Sequence, residues 1–215
     1  MEQNVVELWK QRSEFISAKV KEVASLDEAF QYILDLCRDA PHHEDLMAAT
    51  APCTPGADTP PCVAAATGAT APGKPNALAA PGLPPEQAEA LRKGCEERGL
   101  LFVDKNLRDY TDGLEVGVAW SLAALADTGS CILNSTNEDE RLATMLPETC
   151  VLLLSRSKIL SGSSEVTPLL RKLMAGDKPS FIAYVGGPSR TADIERVLTL
   201  GVHGPLFLHV VLLPE

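Results

Sequence analysis

Several common signatures are missing from this 215-residue chain. No apolar run reaches the ~18–20 residues that a helix needs to cross a bilayer. The N-terminal stretch MEQNVVELWKQRSEFISAKVKEV is charged throughout and lacks the apolar centre of a secretory signal. No basic cluster occurs, and the net charge of -10 repels phosphate backbones, which argues against nucleic acid as a partner. We therefore expect a cytoplasmic protein without a membrane span, in a compartment where thiols stay reduced.

Cofactor signatures are missing as well. The chain has no Gly-x-Gly-x-x-Gly fingerprint for a flavin or nicotinamide, and its six cysteines form no Cys-x-x-Cys pair. It therefore carries no recognisable cofactor signature of its own, iron–sulfur clusters included, and the cofactor stays unknown. Four cysteines fall in periodic apolar segments and are predicted to be core residues: Cys37, Cys95, Cys131 and Cys150. Cys53 and Cys62 lie in a loop, as do His42 and His43, where solvated side chains are more common than metal ligands.

What is present divides the chain into three parts. Residues 1–40 predict a helical extension, with one apolar stripe across residues 3 to 23 that would pack on the body of the protein or on a second copy in a homodimer. Ser25 and Glu28 have capping-box spacing and predict a second helix. Residues 41–75 are rich in Pro, Ala, Gly and Thr and predict a surface loop or insertion. Residues 76–215 predict a compact domain.

The third part alternates between strands and helices. Its pattern includes the helix PPEQAEALRKGCEERG, a short helical piece at KNLRDY, the strand LEVGVAW, a brief helix at SLAALADTG, the strand SCILNS, the continuous apolar strand CVLLLS and the helix EVTPLLRKLMAG. An apolar run such as CVLLLS is typical of a strand that is covered on both faces. Alternation of this kind predicts an α/β fold with a mostly parallel sheet and helices on both sides.

The stretch GGPSRTADIERVLTLGVHGP, residues 186 to 205, is the first candidate site. It follows the predicted strand SFIAYVGG, and TADIERVLTLG predicts a helix that Ser189 or Thr191 would cap. Arg190 would then stand at the carboxyl end of a strand, where open α/β sheets bind ligands, beside the free N–H groups of a helix start. We expect an anion site there, with His203 as an acid or base and Asp193 orienting Arg190 or His203.

A second bend, LADTGSCIL, repeats this arrangement. Gly129 would let the backbone approach a ligand closely, and Thr128 and Ser130 offer hydroxyl donors. The alternative interpretation is a plain turn into a strand. If the two bends share one rim of the sheet, Thr128, Gly129, Ser130, Ser189, Arg190 and Thr191 form one site for a small anionic ligand.

These motifs, together with RLATMLPETCVLLLSRSKI, resemble the LUD-domain family of lactate utilization proteins. The resemblance covers roughly residues 76 to 215, and the Asp127 and Ser130 positions depart from the family's more frequent Glu and Thr. It implies a three-layer α/β/α fold similar to the CoA-transferase and ribose-5-phosphate isomerase group. It also implies a role in oxidising L-lactate to pyruvate beside two iron–sulfur partner proteins.

Three functional hypotheses stay open. The first is a component of an L-lactate utilization system that binds a carboxylate or partner anion, with electrons carried by iron–sulfur partners. The second is a stand-alone small-molecule enzyme, for example a CoA-type transferase or ligase-like catalyst, for which Glu138 is a candidate nucleophile. The third is a non-catalytic assembly module. Whether the chain is an enzyme is therefore left undecided.

Overall fold

The computed structural model describes residues 2–41, 75–110, 113–176, 180–192, 198–200 and 204–214. Its centre is a sheet of six parallel strands, in the spatial order β1-β12-β7-β4-β2-β3. These strands are β1 (Ala18–Glu22), β2 (Ala77–Ala79), β3 (Leu101–Val103), β4 (Leu114–Trp120), β7 (Pro147–Ser155) and β12 (Phe207–Leu213). Residues 150–154 of β7 are almost completely buried between two apolar clusters, as their continuous apolar run predicts.

In the described parts of the chain, two helices cover one face of this main sheet. They are α2 (Leu26–Asp39) and α3 (Pro85–Glu97), and both pack on residues of β2, β4, β7 and β12. The predicted capping contact at the start of α2 is present, because the backbone N–H of Glu28 donates to Ser25 Oγ over 3.2 Å. The chain leaves α3 at Gly99, whose φ of 68° is in the left-handed region expected of a helix stop.

The opposite face carries α1 (Glu2–Phe15), α4 (Glu138–Ala143) and a second, four-stranded sheet. The second sheet has the order β8-β5-β6-β9 and consists of β5 (Ala123–Leu125), β6 (Ser130–Asn134), β8 (Ile159–Leu160) and β9 (Ile182–Val185). Helix α5 (Ser163–Met174) packs on the outer side of this sheet. The described residues also form the hairpin of β10 (Arg190–Ala192) and β11 (Leu198–Leu200) and two 3₁₀ turns, Leu107–Asp109 and Arg156–Lys158.

The predicted fold class is confirmed: a mostly parallel sheet lies between helices on both sides. Among the residues described, no helix is both long enough and apolar enough to cross a membrane. Strand β1 belongs to the main sheet, so the part of the chain before residue 40 supplies a strand as well as helices. The three-part division of the chain stays a prediction.

Three predicted helices are wrong. The stripe over residues 3 to 23 is divided by Ser17, whose φ of 71° ends α1 before β1 begins. The segment SLAALADTG forms β5 and a turn. The two described ends of TADIERVLTLG pair as the β10–β11 hairpin, while residues 193–197 lie outside the description. In each case the apolar pattern fits either element, and pairing with another strand decides between them.

Candidate functional site

The two glycine-containing bends predicted as one site do lie together. Strands β6 and β9 pair antiparallel with Cys131 opposite Val185, so the bend before β6 and the bend after β9 meet at one end of the second sheet. Thr128 Oγ1 and Ser130 Oγ lie 2.6 Å apart and share a hydrogen bond. The side chains of Arg190 and Thr191, and the residues Asp193 and His203, lie outside what the structure describes.

The end of α1 packs against both bends. A Cβ on Gly129, whose φ is 74°, would lie 2.6 Å from the backbone of Arg12 and Ser13, and a Cβ on Gly187 would lie 2.5 Å from the Ile16 carbonyl oxygen. The buried Ser13 hydroxyl also donates to the Gly129 carbonyl oxygen over 2.6 Å. Both glycines are therefore required by the close approach of the end of α1 and of Ile16 just after it, which accounts for them without a ligand.

Arg190 follows the carboxyl end of β9, as predicted, but this end is not the carboxyl edge of the parallel main sheet. Strand β9 belongs to the second sheet and runs antiparallel to β6. Gly187 lies against Ile16, just before β1 begins, and the Ser189 N–H donates to the Pro205 carbonyl oxygen, just before β12 begins. The bends therefore lie at the amino ends of β1 and β12. The ligand-binding roles assigned to the residues of the two bends stay predictions.

A cavity of about 180 Å³ lies at the other end of the main sheet, at the carboxyl ends of β2 and β4. The chain leaves β2 towards α3 on one face and leaves β4 towards the second sheet on the other face. Neighbouring strands whose connections leave to opposite faces form the crevice in which open α/β sheets bind ligands. Apolar lining comes from Val118, Leu122, Leu133 and the Trp120 ring, and polar lining from Asn134, Ser135, Glu140 and Thr144.

Glu140 of α4 is the charged side chain among the described residues that line this cavity. Its carboxylate makes no hydrogen bond or ion pair in the described parts of the chain, and partial burial raises the pKa of that carboxyl above its usual range. The side chain lies across Gly82, where a Cβ would stand 2.8 Å from Glu140 Cγ. A carboxylate held in a crevice without a partner is available to a ligand.

Glu138, the candidate nucleophile, lies elsewhere on α4. Its carboxylate accepts from the Arg108 guanidinium, with Nε at 2.8 Å, and Arg141 stands 3.8 Å away. Glu138 is thus an exposed ion-pair partner, and it is not among the described residues that line the cavity. The role of Glu138 as a nucleophile stays a prediction, and the carboxylate that lines the cavity is Glu140, two residues further along.

The cavity walls are held in place by hydrogen bonds around them. The Trp120 indole N–H donates to Gln87 Oε1 of α3 over 2.9 Å. The Ser135 N–H donates to the Phe181 carbonyl oxygen, and Arg141 Nη1 donates to the Ser135 carbonyl oxygen over 3.1 Å. The Thr144 hydroxyl donates to the Arg141 carbonyl oxygen over 2.8 Å. These contacts orient the polar lining before any ligand binds.

The sequence model of the LUD domain matches residues 6–213, which is nearly the whole chain. The chain belongs to the LUD domain family. It is similar to proteins named lactate utilization protein C, with 35% identity over 105 residues in Bacillus licheniformis, 34% over 100 in Geobacillus kaustophilus and 36% over 93 in Bacillus subtilis. The three alignments cover 48%, 46% and 42% of this chain and 43%, 42% and 39% of the relatives, so each spans less than half of either protein.

This LUD domain is also similar in fold to a crystal structure of a DUF162 family protein from Deinococcus radiodurans. The TM-score is 0.58 at 12% sequence identity, and the superposition covers 99% of this chain and 98% of that one. At this sequence identity the similarity shows a shared fold only, and it gives no information about a ligand. The crevice of this LUD domain is therefore described from its own residues.

The cysteines of this LUD domain behave as predicted where they are described. Cys37, Cys95, Cys131 and Cys150 are free and buried. Burial raises the pKa of Cys95 to about 11 and the pKa values of Cys131 and Cys150 to about 12. Within the described ranges, no three side chains of the metal-ligating types lie together. Residues 42–74, which include His42, His43, Cys53 and Cys62, lie outside those ranges.

Glu140 was the functional candidate that the sequence did not reveal. It stands three residues after Asn137, a spacing that is typical of a helix-capping pair. The Asn137 side chain does cap α4 by accepting from the Glu140 N–H over 3.3 Å. The Glu140 side chain, however, lines the cavity and lies beside Gly82, and its carboxylate makes no bond to the helix start within the described residues. The available signal was Glu140 and Thr144 at i and i+4 on one helix face.

Proposed function

We propose that this protein serves in L-lactate utilization, in the oxidation of L-lactate to pyruvate. The observation that carries the proposal is the LUD-domain match over residues 6–213 together with 34–36% identity to proteins named lactate utilization protein C. Because those alignments span less than half of each relative, the reaction, the substrate and the partners are all part of the proposal.

Within such a system, the chain acts as a component beside iron–sulfur proteins, which carry the electrons. The burial of the four described cysteines supports the assignment of electron transfer to the partner proteins. A cluster needs thiolates, and burial disfavours the thiolate form at each of these four sites.

The component binds a carboxylate at the paired bends. Arg190 supplies the cation, and Thr128, Ser130, Ser189 and Thr191 supply hydrogen-bond donors. His203 exchanges a proton with the ligand, and Asp193 orients Arg190 or His203. The meeting of the two bends at one end of the second sheet supports a shared site, although α1 by itself accounts for their glycines.

Genetic complementation tests the role in lactate utilization. A Bacillus subtilis strain that lacks its lactate utilization protein C should regain growth on L-lactate when this chain is expressed with its own operon partners. Growth on glucose serves as the control. Soluble expression without any recovery on L-lactate would argue against the role.

Purification tests whether the chain is a component or a free-standing enzyme. The isolated chain should not oxidise L-lactate with an artificial electron acceptor, and it should retain proteins with iron–sulfur absorption from its host. Turnover by the isolated chain would favour the stand-alone enzyme. Failure to retain any iron–sulfur protein would weaken the component proposal.

The carboxylate site is tested by Arg190→Ala. This variant should lose L-lactate binding in calorimetry with little change in melting temperature, whereas Arg171→Ala, at an exposed arginine of α5, should bind as the parent does. A large loss of stability with unchanged binding would make Arg190 structural. L-lactate oxidation by the chain together with its partner proteins should depend on pH between 5 and 8, because the ordinary pKa of histidine, about 6.5, falls in that range. A rate that does not change over this range would argue against proton exchange by His203.

A further inference from the structure

We infer that the crevice between β2 and β4 is a second binding site. Its ligand is a small molecule with a hydroxyl or ammonium group on a mainly apolar body. Glu140 accepts the hydrogen bond from that group. The inference is independent of the lactate role. It also concerns a different place from the paired bends, because Ser130 and Asn134 begin and end β6, roughly 14 Å apart along a strand.

The position of the crevice is the first support. The cavity opens at the carboxyl ends of two adjacent parallel strands whose onward connections leave to opposite faces. Its volume of about 180 Å³ is far more than the roughly 10–15 Å³ that a single water needs by the same measure, so a small organic molecule fits.

The chemistry of the walls decides the class of ligand. Val118, Leu122, Leu133 and the Trp120 ring offer apolar contact. Glu140 brings one negative charge, and no basic side chain is among the described lining residues. The nearby Arg141 is engaged by the Ser135 carbonyl oxygen and stands 3.8 Å from Glu138. An anionic ligand is therefore repelled, and a neutral or cationic donor is favoured.

The unpaired state of Glu140 is the second support. This carboxylate has no hydrogen-bond or ion-pair partner in the part of the chain that the structure describes, so its oxygens are free to accept from a ligand. Residue 82 is glycine where a Cβ would collide with Glu140 Cγ and Cδ at 2.8 and 2.9 Å, so the carboxylate lies in a place that only glycine leaves open.

The test uses three probes with one four-carbon body: butylammonium, 1-butanol and butyrate. Binding is followed by ¹H–¹⁵N NMR at the two tryptophan indoles of the full chain. Trp120 lines the crevice, while Trp9 is fully buried between α1 and the main sheet and acts as an internal reference. Butylammonium and 1-butanol should shift the Trp120 signal saturably and leave Trp9 unmoved, and butyrate should bind about tenfold more weakly or not at all.

Two variants and one matched control locate the contact. Glu140→Gln should weaken butylammonium about tenfold, because a charge-assisted hydrogen bond is lost. Gly82→Ala keeps the carboxylate but displaces it, so it should weaken the same probe and remains informative if Glu140→Gln fails to fold. Glu138→Gln removes an equal charge two residues away, outside the crevice lining, and should change nothing.

Three results would overturn the inference. Butyrate could bind as tightly as butylammonium, which would contradict the electrostatics of the site. Glu140→Gln, or Gly82→Ala if the first is unfolded, could leave binding unchanged. Glu138→Gln could weaken binding as much as Glu140→Gln, which would show that binding responds to the net charge of the protein and not to a contact with Glu140. None of these results bears on growth with L-lactate, so the two proposals fail separately.

Discussion

Acidification should destabilise this protein through one buried histidine. His209 on β12 is 4% exposed, and its Nδ1 lies 2.8 Å from the Tyr32 hydroxyl of α2. Burial, and to a smaller extent the charge of Lys19 on β1, lowers the pKa of His209 from its usual 6.5 to about 4. With the proton on Nε2, neutral His209 accepts from Tyr32 at Nδ1, and protonation of Nδ1 removes that acceptor.

The sign and size of the effect follow from these two pKa values. Above pH 6.5 the ring is neutral in both the folded and the unfolded chain. Between pH 6.5 and about 4 the unfolded chain takes up the proton and the folded chain does not, so the free energy of unfolding falls as the pH falls. The loss is about 1.4 kcal/mol per pH unit, or about 3 kcal/mol over the window, after which it levels off. That is a large share of the roughly 5–15 kcal/mol typical of a folded domain.

Urea denaturation at a series of pH values measures this loss. The comparison is with His209→Gln, which keeps a hydrogen-bond acceptor near Tyr32 but does not titrate. Carboxylates that titrate in the same range are common to both chains, so they cancel in the difference between the two free energies of unfolding. Tyr32→Phe should lower stability yet keep the pH dependence, because His209 stays buried. A wild-type minus His209→Gln difference that is constant from pH 7 to 4 would refute the reasoning.

Three further predictions concern packing. Gly117→Ala would put a methyl group 1.9 Å from the Ala143 carbonyl oxygen, so it should lower the free energy of unfolding, measured by urea denaturation, by about 3 kcal/mol or more. Gly176→Ala is the control: its methyl group meets nothing within 4 Å, so the free energy of unfolding should change by less than about 0.5 kcal/mol. Ser13→Ala should lower stability by about 1–3 kcal/mol, because the buried Gly129 carbonyl oxygen loses its donor; an unchanged transition midpoint would contradict the packing of α1 on that bend. The four buried cysteines should react with Ellman's reagent only in denaturant, and rapid labelling of more than two thiols in the native chain would show that they are not buried.

The sequence predicted those elements correctly whose structure depends on residues within one short segment. The capping pair at Ser25 and Glu28 acts within a few residues and predicted α2 correctly, and the segment PPEQAEALRKGCEERG, with Pro84-Pro85 at its start and Gly99 at its end, predicted α3. The apolar run of β7 predicted burial on both faces because no side of it could face water. Alternation of such segments was enough to predict the fold class.

The errors fall where the choice between helix and strand depends on a distant partner. Residues 18–22 continue an apolar stripe that fits a helix, yet β12 pairs with them and makes them a strand. The segment before Gly129 is a strand because β6 and β8 flank it. Local periodicity contains no information about such pairings, since β12 and β8 lie tens of residues away in the chain from the strands with which they pair.

The sequence by itself determined the fold class, the buried strands and the helices with clear caps, because those features arise from contacts between near neighbours. It also pointed to two glycine-containing bends, which the pairing of β6 with β9 brings together. Only the tertiary structure decided that α1 packs on those bends, that they lie at the amino ends of β1 and β12, and that Glu140, not Glu138, faces the crevice between β2 and β4. Those facts depend on strand order and on which face each connection takes, and both are set by the packing of the whole chain.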